Sequence, residues 1–295
     1  MVTGARVALI KSLGALLEAM PERGDVSAAR WLARKFGPRS ESAVSNLTAN
    51  LQHALYDESQ SHERTLLERF VDRAFASYGQ YWAESAKLPA MRKAEIYERF
   101  AISEGIEYLD AARDRERGVV IALPHVGSWE WGGSFLHSLG YGMTAIAEEL
   151  EPPELFEWFK KKRESIGIRI EPLNEHAGTV LLEVLRGGGV VGLLCDRDLQ
   201  GNGVDVEFFG KRVTMPAGPA TLALRTGATL LTAACYSGPG SDHHAVVCPP
   251  IDATRQARLR QDVARVTQLI AHNLEGLIRR APEQWHVLQP VFPTP

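Results

Sequence analysis

The chain lacks a hydrophobic run long enough to cross a bilayer, which takes roughly 20 apolar residues. Its most apolar stretch, ARVALIKSLGALLEAM, is broken by Lys11 and Glu18 and offers no small-residue cleavage site, so neither a spanning anchor nor a signal peptide is expected. Leu9, Leu13, Leu16, Leu17 and Met20 recur there at helical spacing. They predict an amphipathic helix within segment 1–38 that packs on the core or lies in a membrane interface. Cysteine is scarce: Cys195, Cys235 and Cys248 are odd in number, far apart and each inside an apolar run. They read as reduced core thiols, which excludes a disulfide framework and suits a cytosolic protein. An excess of either charge is also missing. A formal net charge of -3 and a pI near 6.3 supply no global basic field, so no nucleic-acid partner is expected. Repeats, low-complexity tracts and linkers are absent, and one domain over residues 1–295 is the simplest organisation.

What is present is an ordinary globular composition, 45% hydrophobic and 23% charged, with a change of period along it. RWLARKFG, ESAVSNLTANLQHAL and ERTLLERFVDRAFASYGQYWAESAKL carry apolar residues three and four apart and stop at Gly37, Pro38 and Pro89, which predicts helices. Beyond about residue 100, the short apolar runs VVIAL, MTAIA, VVGLLC, ATLLTAAC and HAVVC alternate with helical stretches expected at about 167–186 and 253–280. This pattern predicts an α/β fold, a central mixed β-sheet flanked by helices, with a helical N-terminal section.

The chemistry concentrates in VVIALPHVGSWEWGG, residues 119–133. A buried strand ends at Pro124, His125 follows it, and Ser128 is placed to cap a helix that opens with Trp129, Glu130 and Trp131. In open α/β sheets functional groups gather beyond the carboxyl ends of the strands. An imidazole beside a carboxylate at such a place accepts a proton near neutral pH. The usual nucleophiles and metal sets are not on offer. No Gly-x-Ser-x-Gly elbow exists, the three cysteines sit in strands, and no His-Glu-x-x-His occurs; Asp242, His243, His244 and Cys248 include adjacent histidines that a strand turns to opposite faces. No metal is expected. GGGVVG, residues 187–192, follows a helix and enters a strand, the reverse of a dinucleotide loop, and reads as a helix stop. The remaining task for the base is to deprotonate an acceptor hydroxyl that attacks an activated acyl group directly.

With these residues in view, His125 to Glu130 resembles the His-x4-Asp/Glu motif of glycerolipid-type acyltransferases, in the version found in bacterial lipid A biosynthesis acyltransferases; Ser128 stands where asparagine is frequent. CDRDLQGNGVDVEFFGKRVTMPAGPATLALRTGATLL resembles the family's Asp-rich turn, Phe-Phe-Gly hairpin and small-residue helix start, and APEQWHVLQPVF its closing segment. The likeness spans about residues 40–292. YGQYWAESAKLP, IAEELEPPELFEWF and WHVLQPVFP look most like the actinobacterial branch that acylates phosphatidylinositol mannosides.

That resemblance implies transfer of a fatty acyl chain, typically palmitoyl, from acyl-CoA as co-substrate to a mannose hydroxyl of a phosphatidylinositol mannoside. It implies no further cofactor, and a peripheral place on the anionic cytoplasmic face of the plasma membrane. It makes His125 the general base and Glu148 the carboxylate that orients it, with Glu130 holding the loop or assisting; the residues themselves do not rank the two glutamates. Arg163, at the end of Lys160-Lys161-Lys162-Arg163, is placed near the site to hold a phosphate or a developing oxyanion. Arg197 is a second phosphate candidate, Asp196 a substrate contact or a brace of its own turn, and Trp129 and Trp131 are walls for sugar or acyl chain or, equally, aromatic core packing. A thioesterase, a lipid A-type acyltransferase with another glycolipid acceptor, and a non-catalytic lipid binder are the rival readings. Oligomeric state is not readable from the sequence.

Overall fold

The computed structural model describes residues 4–19, 22–55, 64–113, 117–238 and 242–293. Four helices come first: α1 (Gly4–Ala19), α2 (Glu22–Phe36), α3 (Glu41–Leu55) and α4 (Arg64–Lys87). Then α5 (Lys93–Arg99), β1 (Phe100–Glu104), α6 (Ile106–Arg113), β2 (Val119–Leu123), α7 (Trp129–Ser138), β3 (Met143–Ala147) and α8 (Pro153–Ser165) follow. The chain continues through β4 (Ile168–Pro172), α9 (Ala177–Arg186), β5 (Val190–Leu194), β6 (Val204–Phe208), β7 (Lys211–Met215), α10 (Gly218–Thr226), β8 (Thr229–Ser237), β9 (His243–Val247) and α11 (Leu259–Arg280). No described helix is long and apolar enough to cross a membrane. The expected α1 face falls partly outside the described residues: Met20 and the side chains of Leu9 and Leu13 are not described, while Leu16 is exposed.

Seven strands form one mixed sheet in the order β1-β9-β8-β2-β5-β3-β4. Every pairing is parallel except β8 with β9, and β6 and β7 form a separate hairpin. The wholly buried run of β2 follows from its central place. Val120 and Ala122 pack into the core shared with Leu181 and Ile270 from α9 and α11, while Val119, Ile121 and Leu123 face Trp131, Phe135 and Ile168 on the other side. Two covered faces require a continuous apolar strand rather than an alternating one.

Two sequence expectations shift. The helix expected over 167–186 contains β4: Ile168 and Ile170 point inward and Arg169 outward, a period of two hidden inside an otherwise helical composition. The helix expected from 253 begins at Leu259. Before it, the Asp262 carboxylate accepts the backbone N–H groups of Gln256 and Ala257, which holds those residues in a loop.

The chain end returns to the sheet. Past α11, Trp285, Val287 and Phe292 are buried in the main core. Asn50 of α3 donates to the carbonyls of Val287 and Gln289 at 3.0 and 2.9 Å, and Asn46 to that of Leu288 at 3.1 Å. This tail crosses the carboxyl end of β2.

Candidate active site

The loop after β2 is clamped on both sides. Val126 N–H bonds the Pro124 carbonyl at 2.7 Å, closing a tight turn, and Ser128 N–H bonds the Cys235 carbonyl of β8 at 3.0 Å. Gly127 adopts φ 57°, and a Cβ there would lie 2.0 Å from the Cys235 oxygen, so only glycine fits. From the tail, the Gln284 carbonyl accepts Gly127 N–H at 2.9 Å, and His286 N–H donates to the His125 carbonyl at 2.8 Å. Ser128 does occupy the cap position of α7, but its side chain makes no capping bond.

His125 thereby meets Asp196. Imidazole Nδ1 lies 2.5 Å from Asp196 Oδ1, and His125 N–H donates to Oδ2 at 2.9 Å. Trp285 Nε1–H adds a third bond, to Oδ2, at 2.7 Å. Burial would push the Asp196 carboxyl up, but the His125 charge, its two hydrogen bonds and the indole bond together hold it below the usual carboxylate range. An ionised Asp196 on Nδ1 fixes that nitrogen as the proton bearer and leaves the Nε2 lone pair free to take a proton. His125 borders a cavity of about 630 Å³.

The partner of His125 corrects the sequence reading. Glu148 was expected beside it, as if β3 were the neighbouring strand. The strand between β2 and β3 is β5, so the nearest strand end is the one that delivers Asp196. Glu148 lines the cavity with a side chain 57% exposed and approaches Arg197 Nη2 at 4.0 Å. Glu130 also faces elsewhere. From the first turn of α7 it accepts the Tyr81 hydroxyl of α4 at 2.8 Å and Arg163 Nη2 of α8 at 3.3 Å, both on Oε1. Asp196, expected to touch substrate, is 0% exposed and does not line the cavity; its link to that side is the contact with His125.

The cations border the cavity as expected. Arg163 lies over the Trp129 ring at 5.1 Å and that of Phe159 at 5.8 Å. Burial would lower its pKa, but Glu130 and Tyr81 more than offset that, and the guanidinium stays charged. The same burial, next to the Glu130 charge, pushes the Tyr81 phenol well up and keeps it a donor. Arg197 has a buried Nε without a partner. Asp198 braces its own turn through the N–H groups of Gln200, Gly201 and Gly203. Trp129 borders the cavity; Trp131, which the sequence left open as a wall or as core, is fully buried and stacks on His243 at 4.1 Å, which makes it a core residue.

Sequence reasoning overlooked Trp285 and His286. His286 lines the cavity with Nε2 at 2.9 Å from the Ser77 hydroxyl and its ring against the backbone of Gly127. Burial, helped by the nearby His125, pushes it down to about 3. It is a neutral strut, not a base. Trp285 and His286 both lie in the closing segment APEQWHVLQPVF, whose likeness to the family assigned neither of them a role. A second, more apolar cavity of about 430 Å³ adjoins, lined among others by Leu17, Trp82, Trp158, Phe159 and Ile166, and it shares Trp82, Phe159 and Arg163 with the first.

Comparison with known proteins identifies the family. The pattern of the bacterial lipid A biosynthesis acyltransferases matches residues 5–294. A phosphatidylinositol mannoside acyltransferase of Mycobacterium tuberculosis is 39% identical over 219 residues, 72% of this chain and 67% of that protein. One from Mycolicibacterium smegmatis is 36% identical over 284 residues, 93% and 87% of the two chains. The lipid A biosynthesis acyltransferase of Haemophilus influenzae is 21% identical over 258 residues, 86% and 76%. On the match along nearly its whole length and on the two actinobacterial identities, the chain belongs to the bacterial lipid A biosynthesis acyltransferase family and is an enzyme that transfers acyl groups.

Proposed function

We propose that the protein is a phosphatidylinositol mannoside acyltransferase that moves a fatty acyl chain, palmitoyl in the first instance, from acyl-CoA to a mannose hydroxyl without an acyl-enzyme. The observation that carries this reading is the His125–Asp196 pair, whose free imidazole nitrogen belongs to a residue on the cavity wall. His125 Nε2 takes the proton of the mannose hydroxyl as its oxygen attacks the thioester carbonyl. The imidazolium that forms is stabilised by buried Asp196. Arg163, held by Glu130 and Tyr81, supplies positive charge toward the tetrahedral oxyanion. Attack forms the ester C–O bond; collapse then restores the carbonyl, breaks the C–S bond and returns the proton from His125 to the departing thiolate. The reaction balances without metal or further cofactor.

The surroundings suit the substrates. The apolar second cavity is a receptacle for the acyl tail, and its 430 Å³ lies within the usual range for small-molecule sites. Arg197 and Glu148 at the first cavity place charge where phosphate and sugar hydroxyls must pass, and Trp129 offers an aromatic wall. On α2 and just beyond it, Trp31, Leu32 and Phe36 are exposed among Arg30, Arg34, Lys35 and Arg39. Aromatic and basic side chains mixed on one surface fit an anionic lipid interface, consistent with a peripheral enzyme at the cytoplasmic face of the plasma membrane.

The test is thiol release from palmitoyl-CoA with and without phosphatidylinositol mannoside in anionic vesicles, with mass analysis of the lipid. Acceptor-dependent release and a lipid heavier by one acyl group are expected, and His125→Ala lowers the rate by about 10²-fold or more while vesicle binding persists. Release of free fatty acid at the same rate without acceptor refutes the transferase and makes the protein a thioesterase.

A further inference from the structure

We propose that Trp285 is a positioning residue for the His125–Asp196 pair, and that the chain's tail is thereby part of the catalytic apparatus; this rests on the acyl-transfer reading above. Residues 125–127 and 284–286 run antiparallel. Val126 and Trp285 form the bridge between them, flanked by bonds from Gly127 N–H to the Gln284 carbonyl and from His286 N–H to the His125 carbonyl. The register decides where the indole goes. Trp285 is fully buried, out of substrate reach, and its Nε1–H ends 2.7 Å from Asp196 Oδ2.

The two oxygens of Asp196 are used differently. Oδ2 takes the backbone N–H of His125 and the indole N–H of Trp285; Oδ1 takes the imidazole. With Oδ2 held by two neutral donors, the carboxylate plane is fixed and Oδ1 is aimed at Nδ1. The indole bond also withdraws charge from the carboxylate, so its removal leaves a more basic Asp196 that holds the imidazolium more tightly. Trp285 in turn is not free to move. Its ring packs near Phe208 and Phe209 of the hairpin, with centroids 6.2 and 6.0 Å away. The adjacent Gln284 side chain bonds both the N–H and the carbonyl of Ser237 at 2.9 Å. An indole used only for packing needs no donor aimed at the one buried carboxylate that contacts the general base.

Other titratable groups line the cavity that His125 borders and are the same residues in wild type and variant: Tyr78 and Tyr81 from α4, Glu148 beyond β3, Arg163 from α8, Cys195, Arg197 and Asp198 beyond β5, and His286 from the tail. They set a common background for wild type and variant.

Trp285→Phe keeps an aromatic ring and deletes the donor. The expected result is a fall in kcat of about tenfold or more with the acyl-CoA KM little changed, the pattern for an interaction used in the transition state. The acid limb of the kcat/KM profile moves upward by about one pH unit, the scale of one hydrogen bond to a charged group. Because stability falls toward acid pH, circular dichroism follows the folded fraction of both proteins over the same pH range, and the limb is read only where the variant stays folded. Should the variant fail to fold, the wild-type protein provides the test by ¹H–¹⁵N correlation spectroscopy. Among the six tryptophans, one indole N–H that is protected from deuterium exchange shifts with pH, and in His125→Ala it no longer does. An unmoved acid limb in Trp285→Phe, or no protected indole signal that titrates, overturns the proposal. If His125→Ala is inactive in that case, the acyl-transfer reading stands without it; an active His125→Ala ends that reading itself.

Discussion

Replacing Asp196 by asparagine separates the pairing in the structure from the alternatives the motif suggests. The carboxylate accepts three N–H donors, two at Oδ2 and one at Oδ1, whereas an amide has one acceptor oxygen and an NH₂ that must face a donor or an acceptor. With the NH₂ at the Oδ2 position it would meet the backbone N–H of His125 and the indole N–H of Trp285, two unsatisfied contacts at a side chain that is 0% exposed. The favoured orientation keeps oxygen at Oδ2 and turns the NH₂ toward His125 Nδ1. The imidazole then accepts at Nδ1 and carries its proton on Nε2, the tautomer that cannot accept a proton from a hydroxyl. The same substitution in a Ser-His-Asp triad lowers kcat by about 10⁴ for this reason. A loss of about 10³ to 10⁴ is expected here, equivalent to about 4–5.5 kcal/mol of transition-state stabilisation. Acceptor-dependent thiol release from palmitoyl-CoA measures it, with Glu148→Gln as the matched control expected to stay within about tenfold of wild type, since Glu148 is exposed and reaches Arg197 only at 4.0 Å. Asp196→Asn within tenfold of wild type, together with a collapse in Glu148→Gln, would refute the assignment and return Glu148 to the imidazole.

The Glu130 cluster predicts a stability effect as well as a catalytic one. Glu130→Gln leaves Arg163 as a partly buried cation without its counter-charge and is expected to cost about 3 kcal/mol by denaturant unfolding, against about 1 kcal/mol for Tyr81→Phe; a Glu130→Gln protein that unfolds at the wild-type midpoint would remove the anchoring role. His286 gives a pH dependence. Its folded-state pKa of about 3 lies below the unfolded value near 6.5, so below pH 6.5 the unfolded chain binds a proton that the native protein does not. Stability contributed by neutral His286 is therefore complete above about pH 6.5 and falls by about 1.4 kcal/mol per pH unit on the way toward pH 3. His286→Gln, which can still donate to Gly127 and accept from Ser77, should flatten this slope in unfolding measurements between pH 6.5 and 4.5, and equal slopes in both proteins would show that His286 does not carry it.

What the sequence made legible was whatever depends on local period and local grammar: a buried strand ending in Pro-His, the helix stop at Gly187, the helix opening at Trp129, and the helical N-terminal third. β4 was misread because five residues of alternation, Ile168 to Pro172, sit between two helical patterns and the longer period dominates any window wide enough to be informative. The carboxylate partner of His125 was misread for a different reason. Strand order is a non-local property, and consecutive strands are neighbours only about two-thirds of the time; here β5 inserts between β2 and β3. Once it does, Asp196 is fixed next to His125 by ladder geometry, because Cys195 N–H still pairs with the Leu123 carbonyl at 3.0 Å and the next residue must fall beside the loop. A weaker signal did separate the two acids. Asp196 directly follows the apolar run VVGLLC, whereas Glu148 is followed by Glu149 and Glu151. A single charge closing a buried strand has to find a partner at that strand end, since leaving it unpaired would be costly. An acid among other acids remains in water. The motif histidine therefore marks the candidate site, and the sheet order, rather than the motif spacing, determines which acid lies against it.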